Sequence, residues 1–523
     1  MATIQYVNAD FAILYKEKAA KATQRVLTLV YGDAVEVLES DNKWTKVRAH
    51  SRGDGQPVGF VKGKLPLRDT GLLKFTMVDV QQGDGMVFET PSGKVVLVDG
   101  GDNKLFARHL AARFWHKNTT PEQPLPVDAL IITHGDADHF AGLNEIVKSE
   151  TNDERRKRLF MHPKRVYHNG LVKGPGKLKE TAALGRTLKD AKGKLQIFEL
   201  YDDPRTARGP RANEPFNDWF ESLDHWETRG PIAFQRVAHG MNPDTLFDFL
   251  KAEGVHIEIQ GPFPDTVTHP DTGQPTPALP FYNEPENSSI IHLEQGKSTK
   301  KSPSASHTIN GHSIALRLTF GNIRFNLTGD LNKESLQRMQ EVLRPEDLEA
   351  EIVKAPHHGS SDFDLETLKS MKPLVALVSS GDESGDKEYI HPRAPLMAAL
   401  GRIMREDMGI VFVTELAAFF STRDYCHQRS VLAKYFGDRP NDTFTGKDLK
   451  KMFSDQGFAS GPFSFYGFER TNFGLVHLRT DGERVLIFTH SGRENVNEAY
   501  RFEVRKLPNG ERKVTFVKKI NTV

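Results

Sequence analysis

Over the first 68 residues apolar and polar positions alternate in short runs. RVLTLVYGDAVEVLESDNKWTKVRAH, residues 25–50, reads as strands broken at Gly32-Asp33 and Asp41-Asn42. A period of two buries one face of an extended chain, and Gly and Asx residues supply the turns. VGFVKG, Val58 to Gly63, adds another strand. From Leu73 the pattern changes. LKFTMVDV, MVFET and KVVLVDGG predict three strands, the last two joined by a tight PSG turn. DNKLFARHLAARFWHK then has helical periodicity, with Asp102 or Asn103 at its cap. VDALIIT, Val127 to Thr133, is apolar without alternation, as a strand covered on both faces would be.

Farther along, SIALRLTF and NIRFNLTGD predict a hairpin turning at Gly321-Asn322, and LNKESLQRMQEVLR is an amphipathic helix. EIVKAPHHGSSD, LVALVSSGDES and GIVFVTEL predict strands separated by helices at about 363–371 and 393–405. Such alternation predicts sheets covered by helices. Two stretches fit this scheme poorly and read as insertions, at about 150–255 and 420–465. No internal repeat is visible.

Composition narrows the picture. The 523 residues, 38% hydrophobic, suit a globular chain of several domains. A net charge of +1, from 70 basic and 69 acidic residues, gives no overall pull towards polyanions or membranes. Between Arg155 and Lys194, however, thirteen Lys/Arg face only Glu180 and Asp190. That excess suits a polyanion held beside a site, or a solvated face. Tyr167 and His168 would stack on bases if this segment crosses a cleft. The single cysteine, Cys426, excludes an intramolecular disulfide and cysteine-rich zinc modules, and reads as a small buried hydrophobe. With no apolar leader and no run of 18 apolar residues, the expected location is cytoplasmic, with no membrane partner.

The chemistry concentrates in IITHGDADHFAGL, where His134, Asp136, Asp138 and His139 crowd together at the end of a strand. Carboxylates this close raise each other's pKa unless a cation offsets them, and imidazole with carboxylate suits a divalent metal. Asp330, His357 and His358, and His391 also fall where strands give way to loops, so all can converge on one sheet edge.

HGDADH resembles the signature of the metallo-β-lactamase fold in a His-x-Asp-x-Asp-His variant. Together with VDVQQGDGMVFETPSGKVVLVDGG, LTGD and KAPHHGSS, it makes the chain from about Leu73 to Val413 similar to the soluble hydrolase domain of the ComEC competence proteins. ERTNFGLVHLRTDGERVLIF is similar to that domain's closing strands. Gly32-Asp33, Trp44-Thr45-Lys46-Val47 and Gly59-Phe60-Val61 resemble a bacterial Src-homology-3-like barrel. Gln81 departs from the family, which usually has Gly there.

The resemblance implies an α/β fold, an αββα sandwich over residues 73–523, preceded by a small all-β barrel at 1–68. It implies two divalent ions, Mn²⁺ or Zn²⁺, with His134 and Asp136 holding one and Asp138 and His139 the other. Asp330 would bridge them, and His357 or His358 would complete the second set. Asp136, where the fold more commonly has His, makes the first set oxygen-rich and tilts it towards Mn²⁺. Asp99 would orient the site, and His312 is a possible further ligand. The implied activity is phosphodiester cleavage by a hydroxide held between the two ions, most directly a DNA nuclease. Asp138 would orient that hydroxide. His391 would bind the phosphate or protonate the leaving oxygen, and Ser360 and Ser361 would donate to the phosphate. Two alternatives stand beside it: a hydrolase of a small nucleotide, phosphodiester or ester, and an interaction protein that works with a partner through the barrel.

Overall fold

Two sheets face each other across an apolar interior. The computed structural model describes residues 3–50, 56–284, 302–381, 391–405, 409–415, 474–490 and 499–517, with 445, 447, 448 and 451. Cys426 and nearly all of the expected insertion at 420–465 lie outside the described residues. The larger sheet runs in the order Ala233–Arg236, Arg165–His168, Ala129–Ile131, Val95–Asp99, Gly85–Glu89, Leu73–Met77, Leu475–Thr480, Arg484–His490, Ala499–Lys506, Arg512–Val517. The smaller runs Val255–Gly261, Ala315–Phe320, Ile323–Leu327, Ile352–Lys354, Val375–Val378, Ile410–Val413.

Between the sheets, Phe75, Phe88, Val96 and Val98 meet Leu316, Leu318, Phe325 and Leu377. The Phe325 ring stands 5.9 Å from both Phe75 and Phe88. Helices Leu105–Phe114 and Glu214–Glu227 cover the outer face of the larger sheet through Phe106, Leu110, Trp219 and Leu223. Helices Lys333–Val342, Leu365–Met371 and Ala394–Ile403 cover the smaller one through Leu336, Met339, Leu368 and Leu400. The order of layers is αββα, as expected. The predicted hairpin is also present, its strands ending at Phe320 and restarting at Ile323.

Two expectations need correction. Residues 150–255 are not an insertion as a whole. Arg165–His168 runs parallel to Ala129–Ile131, and Ala233–Arg236 runs parallel to Arg165–His168, so both belong to the main sheet. Their short, mixed-polarity sequences at the sheet's edge carry little periodicity, which concealed them. The expected strand Val127–Thr133 is split at Asp128. Its carboxylate accepts from the Val95 amide (3.0 Å) and from Lys164 (2.8 Å), while Leu125–Val127 turns away to pair with Met161–Pro163.

The N-terminal segment is a seven-stranded antiparallel sheet around Val7, Leu14, Leu29, Val35 and Val47. Tyr31 and Leu72 seat it on Leu486 and Phe488 of the main domain. Arg479 donates to Asp33 and to the Tyr31 carbonyl, both at 2.7 Å, and Arg501 donates to Asp10 at 2.8 Å.

One buried ion cluster fixes the strand that leads into the site. Glu351, fully buried, accepts from Arg324 (2.7 Å) and Arg405 (2.9 Å) just before Ile352–Lys354. Burial opposes its charge, but the two guanidiniums hold the carboxyl below its ordinary value. Glu351→Gln strands both cations and lowers unfolding free energy by about 3 kcal/mol at pH 7. A depressed folded-state pKa gives a contribution that is present above the unfolded value and lost as pH falls. The melting-temperature gap between wild type and variant, measured by calorimetry, therefore narrows as the pH falls below about 4.

Candidate metal centre

Carboxyl ends of adjacent strands deliver the polar groups. Val95–Asp99 ends in Asp99, and Ala129–Ile131 runs on to Thr133 and His134. The short helix Ala137–Phe140 carries Asp138 and His139. Ile323–Leu327 leads to Asp330, and Ile352–Lys354 to His357 and His358. Asp99, His134, His139, Asp330 and His358 are all buried. The chain pays for this convergence in backbone strain, since Gln81, Asp99, His357 and His358 all have φ between +46° and +67°. Non-glycine residues in that region cost on the order of 1–3 kcal/mol each and persist only where the surroundings over-determine them. Gly83 (φ +100°) is a glycine of necessity, because a Cβ there would stand 1.7 Å from the Asp138 carbonyl oxygen.

The Nε2 atoms of His139 and His358 face each other at 3.2 Å, and both face Asp330 Oδ2, at 3.3 and 2.9 Å. Behind them stand two more carboxylates. Asp99 Oδ2 lies 2.8 Å from His139 Nδ1 and accepts from the Thr133 hydroxyl, while its Oδ1 accepts from the Thr133 amide. Asp84 Oδ1 lies 3.4 Å from His358 Nδ1. A carboxylate beside Nδ1 accepts a hydrogen bond from its N–H, which keeps the proton there and turns the Nε2 lone pair inward. Three acceptors then meet among buried side chains, an arrangement that only a proton or a cation can hold together. The residues fit a divalent ion on this ground. Among the described residues, donor atoms of Asp138, His139 and His358 lie within 4.8 Å of one another, as do those of His134, His139 and Asp330.

Electrostatics point the same way. Burial works against charge on His358, yet Asp330 and Asp84 push its pKa up to about 9. His139 is likewise raised, by Asp330 and Asp99 against burial. The carboxylates thus demand positive charge here, which a metal supplies in exchange for protons. Burial takes His134 well below the ordinary histidine value and His357 down to about 4.

The expected residues divide. His134, Asp138, His139, Asp330 and His358 come together, and His358 rather than His357 joins Asp138 and His139. His357 sits at the rim, its Nε2 3.9 Å from Asp330. His391 packs beside it, ring centroids 5.7 Å apart, on the same cleft. Asp136 lines that cleft, but Lys173 Nζ lies 2.5 Å from its Oδ1. His312 is turned away from the centre. Its Nε2 bonds the Pro280 carbonyl at 2.7 Å and its ring stacks on Tyr282, so the possible further ligand is not among this group. Ser360 and Ser361 do not line the cleft, and Ser360 Oγ accepts from the Asp362 amide in a local turn. Tyr167 and His168 are buried, bonded to the carbonyls of Leu246 and Asp202, and offer no stacking face.

Two groups escaped the sequence reading. Asp84 is a charge bracketed by glycines in QQGDGM, and that bracketing was its signal. Lys354 is fully buried, in contact with Asp84, 2.8 Å from the Gly329 carbonyl and 3.5 Å from Asp330 Oδ1. Asn310 and Ser313 flank His312 and face the site in its place. Ser313 Oγ lies 3.3 Å from His134 Nδ1 and accepts from the Asp330 amide. The whole opens on a cleft of about 560 Å³ lined by Gln81, Asp138, Lys173, Asn310, His358 and His391, among others.

A family model for the metallo-beta-lactamase superfamily matches residues 78–380. ComE operon protein 3 of Bacillus subtilis (strain 168) is 31% identical over 94 residues, which are 18% of this chain and 12% of that protein. The chain thus matches only a small part of that relative's length. Among solved structures, a diphosphatase from the PhnP family is 13% identical, with 59% of this chain and 86% of that one covered and a TM-score of 0.23. Unliganded yeast PDE1 is 11% identical, with coverage of 65% and 97% and a TM-score of 0.30.

Asp99→Asn keeps the shape of the Asp99–His139 contact while removing its charge. Mn²⁺ affinity, measured by competition with a fluorescent chelator, falls about 10–100-fold. Unchanged affinity would remove Asp99 from the centre.

Proposed function

The chain belongs to the metallo-β-lactamase superfamily, and on that footing we propose that it is a divalent-cation-dependent phosphodiesterase that cleaves DNA. The observation that carries this reading is the meeting of His139 Nε2, His358 Nε2 and Asp330 Oδ2 at the floor of an open cleft. Asp138, His139, His358 and Asp330 would hold a cation, which when bound supplies Lewis-acid polarisation of a phosphoryl oxygen and acidifies water near neutral pH. The chain's own groups do the rest. Asp138, one-fifth exposed, faces the cleft and orients the attacking water. Burial, with His357 and His358, holds His391 well below the ordinary histidine pKa. At neutral pH it is therefore a neutral imidazole that hydrogen-bonds the phosphate rather than an acid. Lys173 Nζ at the cleft wall attracts the anionic diester. Choice of DNA rests on the resemblance of HGDADH, LTGD and KAPHHGSS to the ComEC hydrolase domain.

A second reading has its own support. Of the thirteen basic residues between Arg155 and Lys194, Lys173 alone lines the cleft, whose volume falls in the range of small-ligand pockets. A small nucleotide or other small phosphodiester fits that picture.

Labelled single- and double-stranded DNA and bis(p-nitrophenyl) phosphate, each with Mn²⁺, separate the two. Cleavage of DNA that falls at least about 100-fold in Asp138→Ala is the expected result. Hydrolysis of the small diester with DNA left intact selects the second reading. Neither reaction, in a folded and Mn²⁺-loaded protein, overturns both.

A further inference from the structure

Both ligands expected for the first ion are already answered by protein donors. Lys173 Nζ lies 2.5 Å from Asp136 Oδ1 and 3.2 Å from Ser306 Oγ. With its amide nitrogen turned towards the acceptors around it, Asn310 donates to Asp136 Oδ2 at 2.8 Å and lies 3.2 Å from His134 Nε2. Among the described residues Asp136 joins no set of metal donors; His134 joins one with His139 and Asp330, and Asp138, His139 and His358 form another. Asp330 Oδ2, by contrast, faces the Nε2 atoms of His139 and His358, while its Oδ1 lies 3.5 Å from the Lys354 ammonium.

Lys173 is held in place rather than trailing from the surface. Leu171 and Val172 before it are buried, its carbonyl accepts from the Asn213 amide at 2.8 Å, and the Gly174 amide donates to the Ala183 carbonyl at 2.7 Å. Its own side chain is only 26% exposed. The ammonium therefore stands at a fixed point beside the two residues that were expected to take a cation.

We propose that this centre holds one divalent ion, at Asp138, His139, His358 and Asp330, and that the Lys173 ammonium occupies the place of a second. The inference rests on the metal-dependent reading above. Like charges at such close range repel strongly where water is scarce, so the ammonium and a second ion exclude each other. A lysine also differs from an ion in what it offers a substrate: three directed donors and a single charge, in place of an open coordination sphere.

Equilibrium dialysis of the full chain against Mn²⁺, with metal counted by mass spectrometry, tests this without any substrate. Wild type takes up one Mn²⁺ per chain and gives an uncoupled electron paramagnetic resonance spectrum. Lys173→Met takes up two, with the exchange coupling of neighbouring ions, and Lys173→Arg, which keeps the cation, stays at one. Two ions in wild type, or one in both wild type and Lys173→Met, overturns the proposal. No Mn²⁺ in any of the proteins fells the metal-dependent reading itself, and the inference with it. Circular dichroism confirms that each variant is folded before the count is read.

Discussion

Too many acceptors in too little water is the constraint around which this molecule is built. Two imidazole Nε2 atoms and a carboxylate oxygen meet within about hydrogen-bonding distance, and unpaired polar groups in such a place are costly. The surrounding groups answer this in shells. Asp99 and Asp84 stand behind the two imidazoles and fix which nitrogen faces inward. Behind Asp84 and Asp330 stands the buried Lys354 ammonium, which offsets the charge that the carboxylates add. A lysine with no exposure is tolerable only because both carboxylates and the Gly329 carbonyl receive it.

Holding such groups together requires backbone that would not otherwise adopt these angles. Four strained non-glycine residues ring the site, at the ends of strands or on the loops that leave them, and those strands pack into the two-sheet interior. The rigid sandwich supplies the energy that the loops consume. The Glu351 cluster does the same locally, anchoring the strand that carries Lys354 and then His357 and His358.

Legibility in the sequence followed the same division. Strand ends bearing His and Asp were plain, because a charge that interrupts an apolar run has few places to go; HGDADH, LTGD and PHHG were readable on that account. Lys354 was not, since a lysine within EIVKAP resembles any outward-facing strand residue. Lys173 was hidden among twelve other basic residues, and its place on the cleft in contact with Asp136 distinguishes it. His312 was a possible further ligand, yet Asn310 and Ser313 near it face the site and His312 bonds the Pro280 carbonyl at the end of strand Pro275–Pro280 instead. Local pattern says that a side chain is near a site; which way it points is decided by packing from elsewhere in the chain. The strands at 165–168 and 233–236 were lost for a related reason, being short strands at one end of the sheet whose pairing is non-local.

The large sheet joins Leu73–Met77 to Leu475–Thr480, register partners some 400 residues apart in sequence. During synthesis, strand Leu73–Met77 therefore waits with one edge unpaired until residues near 480 have left the ribosome. At roughly 5–20 residues per second that wait lasts about 20–80 seconds. An open strand edge is a template for other chains, and Phe75 and Met77 on this strand are apolar side chains destined for the interior. The half-made protein is thus most exposed to mispairing over most of its synthesis. Chaperone supply and translation speed will govern how much of it reaches the folded state.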